Sequence, residues 1–274
     1  MKVVKYSGEI VEFDSNKLKR SLLKSGADYQ IVENIIENIQ SQIFEGISTK
    51  KIYKLAFSML KNESNAHAAK YNLRNAIQQL GPAGFFFEKY VARIFSYEKY
   101  ETKTNLTLQG KCVSHEIDVV AKKNDEISLI ECKFHPRNES LSNVKIPMYI
   151  LSRFNDLKEK KHSLFSSNES FTNCWIVTNN RFSKDAIEFG ICSGIQLLSW
   201  DYPLKNNIRH KIDNYKLYPI TCLTTLTLAE KEKLLLLNIL LVSEIHNDAS
   251  YLEEIKLSDN RKKNVLNEVF EICK

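Results

Sequence analysis

Paired cysteines, long apolar runs and late glycines are what this sequence has little of. Its six cysteines stand at 112, 132, 174, 192, 222 and 273, far apart and with no CxxC pair. That spacing suggests neither a zinc site nor a disulfide framework, and it fits a reducing cytoplasm. The opening MKVVKYSGEI has no signal-peptide apolar core, and the longest apolar stretch, 234–237 continued by 239–242, is too short to span a bilayer. A soluble cytoplasmic protein with no membrane partner is expected. No glycine follows Gly194, so the C-terminal part lacks the glycine-bearing hairpin that lets backbone N–H groups approach phosphate. The net charge of +6 is modest; it permits a polyanionic partner without demanding one. With 274 residues, 43% of them hydrophobic, the chain can build one large or two to three small domains with real cores.

What is present centres on residues 115–134, HEIDVVAKKNDEISLIECKF. Two alternating apolar runs, 116–121 and 127–134, flank a polar Lys122-Lys123-Asn124-Asp125, the pattern of a β-hairpin. Side chains two apart share a face. Glu131 and Lys133 therefore point together while Cys132 points back, and the hairpin register can bring Asp118 opposite them. Two hard carboxylates suit Mg²⁺ shared with a substrate phosphate, and an adjacent lysine can orient water or neutralise charge on phosphorus. The alternative, three solvated charges on an exposed sheet face, fits poorly, because Val119, Val120, Leu129 and Ile130 make both strands too apolar for an edge.

At these residues the chain resembles the PD-(D/E)xK nuclease superfamily, and within it the Mrr-like restriction endonuclease branch. The likeness rests on Gly84-Phe85-Phe86-Phe87-Glu88, Glu116-Ile117-Asp118-Val119-Val120, Leu129-Ile130-Glu131-Cys132-Lys133-Phe134 and Trp175-Ile176-Val177-Thr178-Asn179. It covers 84 to about 203, and Glu116-Ile117 stands where the superfamily's proline would precede Asp118. The resemblance implies Asp118 and Glu131 as ligands of Mg²⁺ or Mn²⁺, Lys133 as the catalytic lysine, and Glu88 as a supporting acid. Glu88 also falls in the first turn of a helix, where the dipole alone favours a carboxylate. His115 is left outside the site.

Residues 2–13 alternate around Ser7-Gly8, a hairpin, and four helices follow: one capped at Asp14 or Ser15, one from Asp28, one capped by Ser48, and one from Asn65 to Leu80 that stops at Gly81. This order, with Val4-Lys5-Tyr6-Ser7-Gly8, Phe13-Asp14, Lys17-Leu18 and Ala69-Lys70-Tyr71-Asn72-Leu73-Arg74, resembles the ATP-cone domain. The resemblance implies an adenine nucleotide, ATP or dATP, held at Val4, Lys5, Gly8, Lys17 and Arg20. Tyr6-Ser7 replaces the family's Arg-Asp before the glycine.

Gly81-Pro82-Ala83-Gly84 marks a domain boundary. After the central hairpin, a helix carrying Ile150, Leu151, Phe154 and Leu157 also carries Tyr149 and Arg153, either phosphate contacts or, for Arg153, the partner of a neighbouring acid. A strand at 174–178, a helix at 183–189 and a strand at 195–199 give a β-α-β rhythm and a partly parallel sheet. The expected fold class is α/β: a helical ATP-cone-like domain with a small β-hairpin at 1–82, a restriction-endonuclease-like α/β/α core with a mixed sheet at 83–203, and a helical C-terminal lobe at 204–274. The expected function is a Mg²⁺-dependent endonuclease cutting DNA, acting as a homodimer or higher oligomer and adjusted by adenine nucleotide. The competing reading is a non-catalytic DNA-binding or nucleotide-sensing regulator.

Overall fold

The structure, a computed structural model, describes residues 1–5, 7–81, 84–137 and 140–274. Tyr6 of the nucleotide motif and Pro82-Ala83 of the expected boundary lie outside the described residues. The chain divides into two compact units, one made of Met1–Ala76 with Tyr218–Lys274, the other of Ile77–Leu217.

In the first unit, β1 (Lys2–Val4) and β2 (Ile10–Glu12) pair antiparallel, and Gly8 takes the left-handed φ of +84° that their turn requires. Helix α1 (Ser15–Leu23) starts on Asp14, whose carboxylate accepts from the Lys17 amide at 3.2 Å, and α3 (Thr49–Glu63) starts on Ser48 in the same way. Between them α2 (Tyr29–Gln42) buries Val32, Ile35, Ile36 and Ile39, the four-residue rhythm of its sequence turned inward. The expected fourth helix is two, α4 (Asn65–Tyr71) and α5 (Leu73–Gln78). They part at Asn72, whose Oδ1 accepts from Tyr53 Oη at 2.5 Å and from Asn75 Nδ2 at 2.9 Å.

The residues after 203 are shared between the two compact units. Residues 204–217 belong with the second unit, and the remainder joins the hairpin and helices of the first. There α12 (Asp259–Cys273) packs against α4, burying Val265, Val269 and Ile272. Its buried Glu268 accepts from the amides of Thr224 and Thr225 at 2.8 and 3.0 Å and from Thr225 Oγ1 at 2.6 Å. The apolar 234–242 block is not one helix: α10 (Leu228–Leu236) ends before Asn238 at φ +64°, and α11 (Val242–Asn247) begins after a short extended stretch.

The second unit is built on a five-stranded mixed sheet. Strands β3 (Glu101–Gln109), β4 (Ser114–Lys123) and β5 (Glu126–Lys133) are antiparallel, and β7 (Asn173–Thr178) and β9 (Gln196–Leu198) continue parallel to β5, in the order β3-β4-β5-β7-β9. The β4–β5 turn is Asn124-Asp125, with Asn124 at φ +55°, as a two-residue hairpin demands. Beside this sheet β6 (Leu141–Ser142) and β8 (Arg181–Phe182) form a small parallel ladder. Helix α6 (Phe85–Tyr97) lies against β3 and β4, fully burying Phe87, Tyr90 and Ile94, each worth about 1.5–3 kcal/mol relative to exposure. Tyr90 sends its hydroxyl to the Leu217 carbonyl at 2.7 Å. Ile150 and Leu157 of α7 (Lys145–Lys158) and Ala186 of α8 (Lys184–Ser193) share one buried cluster with Leu129, Cys174 and Ile176 of the sheet. Helix α9 (Ile208–Tyr215) completes the unit. No helix of the described residues is long and apolar enough to cross a membrane.

Candidate active site

The β4–β5 ladder stops at Val119 opposite Ile130. The next residues along each strand are Asp118 and Glu131, so the two acids sit where the strands part. The Cys132 amide, left without a β4 carbonyl, donates to Asp118 Oδ2 at 2.7 Å. Glu131 is 4% exposed and has both oxygens engaged. Lys133 Nζ, two residues on, meets Oε1 at 2.6 Å, and Arg153 Nη1 of α7 meets Oε2 at 2.6 Å. Arg153 also donates through Nη2 to the Glu116 carbonyl.

Glu88 enters from α6. Gly84 precedes that helix at φ +86°, and a Cβ there would meet Phe134 Cβ at 3.5 Å and Glu88 Oε1 at 3.6 Å, which puts the carboxylate beside the end of β5. Burial pushes the Glu88 carboxyl up, with Glu116 and Glu131 adding to it. Burial first, then Glu131, pushes Asp118 up to about 7. Asp118, Glu131, Lys133 and Glu88, the four residues singled out in the sequence, thus stand together. His115 does not join them, because its Nε2 lies 2.7 Å from Asp156 Oδ2.

Among the described residues, four carboxylates, those of Glu88, Glu116, Asp118 and Glu131, stand around two cationic side chains paired with Glu131, Lys133 and Arg153. Such an excess of negative charge fits a divalent cation, and hard oxygen donors fit Mg²⁺ or Mn²⁺. Among the described residues no three His, Cys, Asp or Glu side chains form a finished cage.

A second candidate site lies in the first unit. Lys5 and Lys17 line a cavity of about 220 Å³ together with Phe13, Leu18, Thr49 and Ile52. Each lysine already has an acid, Glu9 at 2.9 Å from Lys5 and Asp14 at 3.7 Å from Lys17. Val4, Gly8 and Arg20 do not line the cavity.

The fold and the acid cluster define a restriction-endonuclease-like core joined to a cone-type module. Comparison with known proteins agrees: residues 82–201 match the restriction endonuclease (Mrr catalytic) family, 1–78 the ATP cone domain, and 218–273 the AF1548-like C-terminal family. The chain belongs to the Mrr-like branch of the PD-(D/E)xK superfamily, with an N-terminal ATP cone. An uncharacterized protein of Archaeoglobus fulgidus is 42% identical over 133 residues, 48% of this chain and 71% of that protein. The crystal structure of AF1548, a protein of unknown function, superposes with a TM-score of 0.57 at 34% identity, covering 69% of this chain and 97% of that one. Can2 of Sulfobacillus thermosulfidooxidans, solved with cyclic tetra-adenylate, aligns at a TM-score of 0.35 and 15% identity over 73% of this chain and 54% of that one, too remote to bear on the site.

Proposed function

We propose that the second unit is a divalent-metal-dependent endonuclease that hydrolyses DNA phosphodiester bonds. The observation that carries this reading is the unbalanced acid cluster at the parting of β4 and β5, where Asp118 is pushed up to about 7. Asp118 and Glu131 would hold Mg²⁺ or Mn²⁺, which when bound polarises the phosphate and lowers the pKa of water. Lys133 Nζ, held 2.6 Å from Glu131, presents its charge where the phosphate must lie and steadies the negative charge that develops on phosphorus. Glu88, raised by burial, is the acid positioned to take up a proton during the reaction. One such set per chain cuts one strand, so duplex cleavage calls for a symmetric dimer. Adenine nucleotide bound by the cone at Lys5 and Lys17 would adjust that assembly, to the extent that it binds one state better than another.

The test is cleavage of supercoiled plasmid with Mg²⁺, Mn²⁺ or EDTA by the parent and by Lys133→Ala. Nicking and linearisation are expected only with metal. The variant should be at least about 100-fold slower, as when one charge-stabilising donor is removed from an active site. A variant that cuts as fast as its parent removes Lys133 from catalysis. Equal inertness over every metal and substrate transfers the case to a non-catalytic DNA-binding regulator.

A further inference from the structure

Arg153 is the one cation of the site that does not come from the hairpin. Lys133 is fixed two residues from Glu131 on the same strand, whereas Arg153 reaches in from α7 and takes the second Glu131 oxygen. Its guanidinium centre lies 5.7 Å from the ring of Tyr149, one helical turn back, and Tyr149 is 61% exposed. A buried carboxylate with both oxygens in charge-assisted hydrogen bonds is satisfied as it stands. A dication placed on it would meet the guanidinium at close range, where like charges repel strongly.

Resting on the nuclease reading, we infer that Arg153 is a substrate-operated latch on Glu131. With no DNA present, Arg153 holds the oxygen that a metal needs. A backbone phosphate, the other strong partner for a planar guanidinium, draws Arg153 outward along the exposed Tyr149 ring, and Glu131 is released to the cation. Lys133 keeps its place throughout. Metal and DNA then bind with positive coupling, and the coupling is reciprocal: the cation tightens DNA by the factor by which DNA tightens the cation. Arg153 is in this account a positioning residue with a phosphate contact. Its purpose is to keep the centre from assembling on anything that lacks a phosphate chain.

The experiment measures Mn²⁺ binding to the DNA-free protein by calorimetry for the parent, Arg153→Met and Asp118→Asn, with circular dichroism reporting the fold. It also measures duplex oligonucleotide binding to parent and Arg153→Met in EDTA and in Ca²⁺. The expected results are about tenfold tighter Mn²⁺ binding in Arg153→Met, loss of Mn²⁺ binding in Asp118→Asn, and about tenfold tighter duplex binding by the parent when Ca²⁺ replaces EDTA, a gain at least about threefold smaller in Arg153→Met, where only the ion's own contact with phosphate remains. The latch is overturned if Asp118→Asn abolishes Mn²⁺ binding while Arg153→Met leaves it unchanged or weaker. Should Arg153→Met not fold, a parent whose duplex affinity is the same in EDTA and Ca²⁺ overturns it equally. Indifference of Mn²⁺ binding to Asp118→Asn instead removes the metal-site reading on which the latch rests.

Discussion

Asp118→Asn should make the metal-free protein more stable. A carboxyl ordinarily near 3.8 is pushed up to about 7, first by burial and then by Glu131, so the folded protein binds that proton more tightly than the unfolded chain does. Above pH 7 the group is ionised in both states, and folding bears the cost of burying the charge. As pH falls through 7 toward 4 the folded carboxyl protonates first and the cost disappears. At about 1.4 kcal/mol for each pKa unit, the upper limit at pH 8 is about 4 kcal/mol. Residual hydration lowers this toward about 2 kcal/mol, which at roughly 2–4 °C per kcal/mol gives a gain in Tm of about 4–8 °C. The amide oxygen of asparagine can still accept from the Cys132 amide, so the 2.7 Å hydrogen bond need not be lost. Scanning fluorimetry in EDTA from pH 4.5 to 8.5 should show the difference largest at high pH and vanishing at the acid end. Saturating Mn²⁺ should reverse the order, since binding at 100 times Kd adds about 2.7 kcal/mol to the parent alone. A variant no more stable than its parent at pH 8, or a difference that grows toward acid pH, would refute the charge-excess account of the site.

Other outcomes follow from particular contacts. Gly110→Ala should lower Tm, because a Cβ there would come within 2.8 Å of Asp156 Cγ and of the Val113 carbonyl; about 1–3 kcal/mol of overpacking is expected, read by chemical denaturation. Asp156→Ala should loosen the same β3–β4 turn, since its carboxylate accepts from the amides of Cys112 and Val113 at 2.8 and 3.3 Å; faster amide hydrogen exchange confined to 110–115 would be the sign. ATP or dATP should alter the sedimentation of the parent and not of the Lys5→Ala, Lys17→Ala double variant; sedimentation and calorimetry both silent at saturating nucleotide would leave the cone a purely structural module.

The acid cluster was legible in the sequence because its signal is local. Alternation brings Glu131 and Lys133 to one face, and a two-residue turn sets Asp118 against them. Arg153 was harder, since its partner depends on how α7 packs, and sequence alone left phosphate and acid as equal candidates. Strand β3 carries almost no hydrophobic signal: in ETKTNLTLQ only Leu106 and Leu108 are apolar, and threonines keep the alternation. The helix from Asn65 read as continuous because the break is a single residue, Asn72, whose side chain bonds Tyr53 and Asn75, contacts that no periodicity reports. The leucine-rich 234–242 block read as helix for the opposite reason. It is apolar at almost every position, so no period marks its two faces; Leu236 and Leu237 are exposed while Leu234, Leu235 and 239–242 are buried, and the chain turns at Asn238 between them.

The unit that holds the cone is assembled from residues on both sides of the nuclease core. On the ribosome the stretch that makes the sheet emerges whole and can close while the chain is still growing. The cone helices emerge first, yet they wait for α12, made well after the sheet, before the alanine face of α4 is covered. A ribosome stalled after residue 217 and before α12 would therefore release a protein with a finished sheet unit and an unfinished cone unit, and it is the cone unit's exposed apolar face that quality control would see.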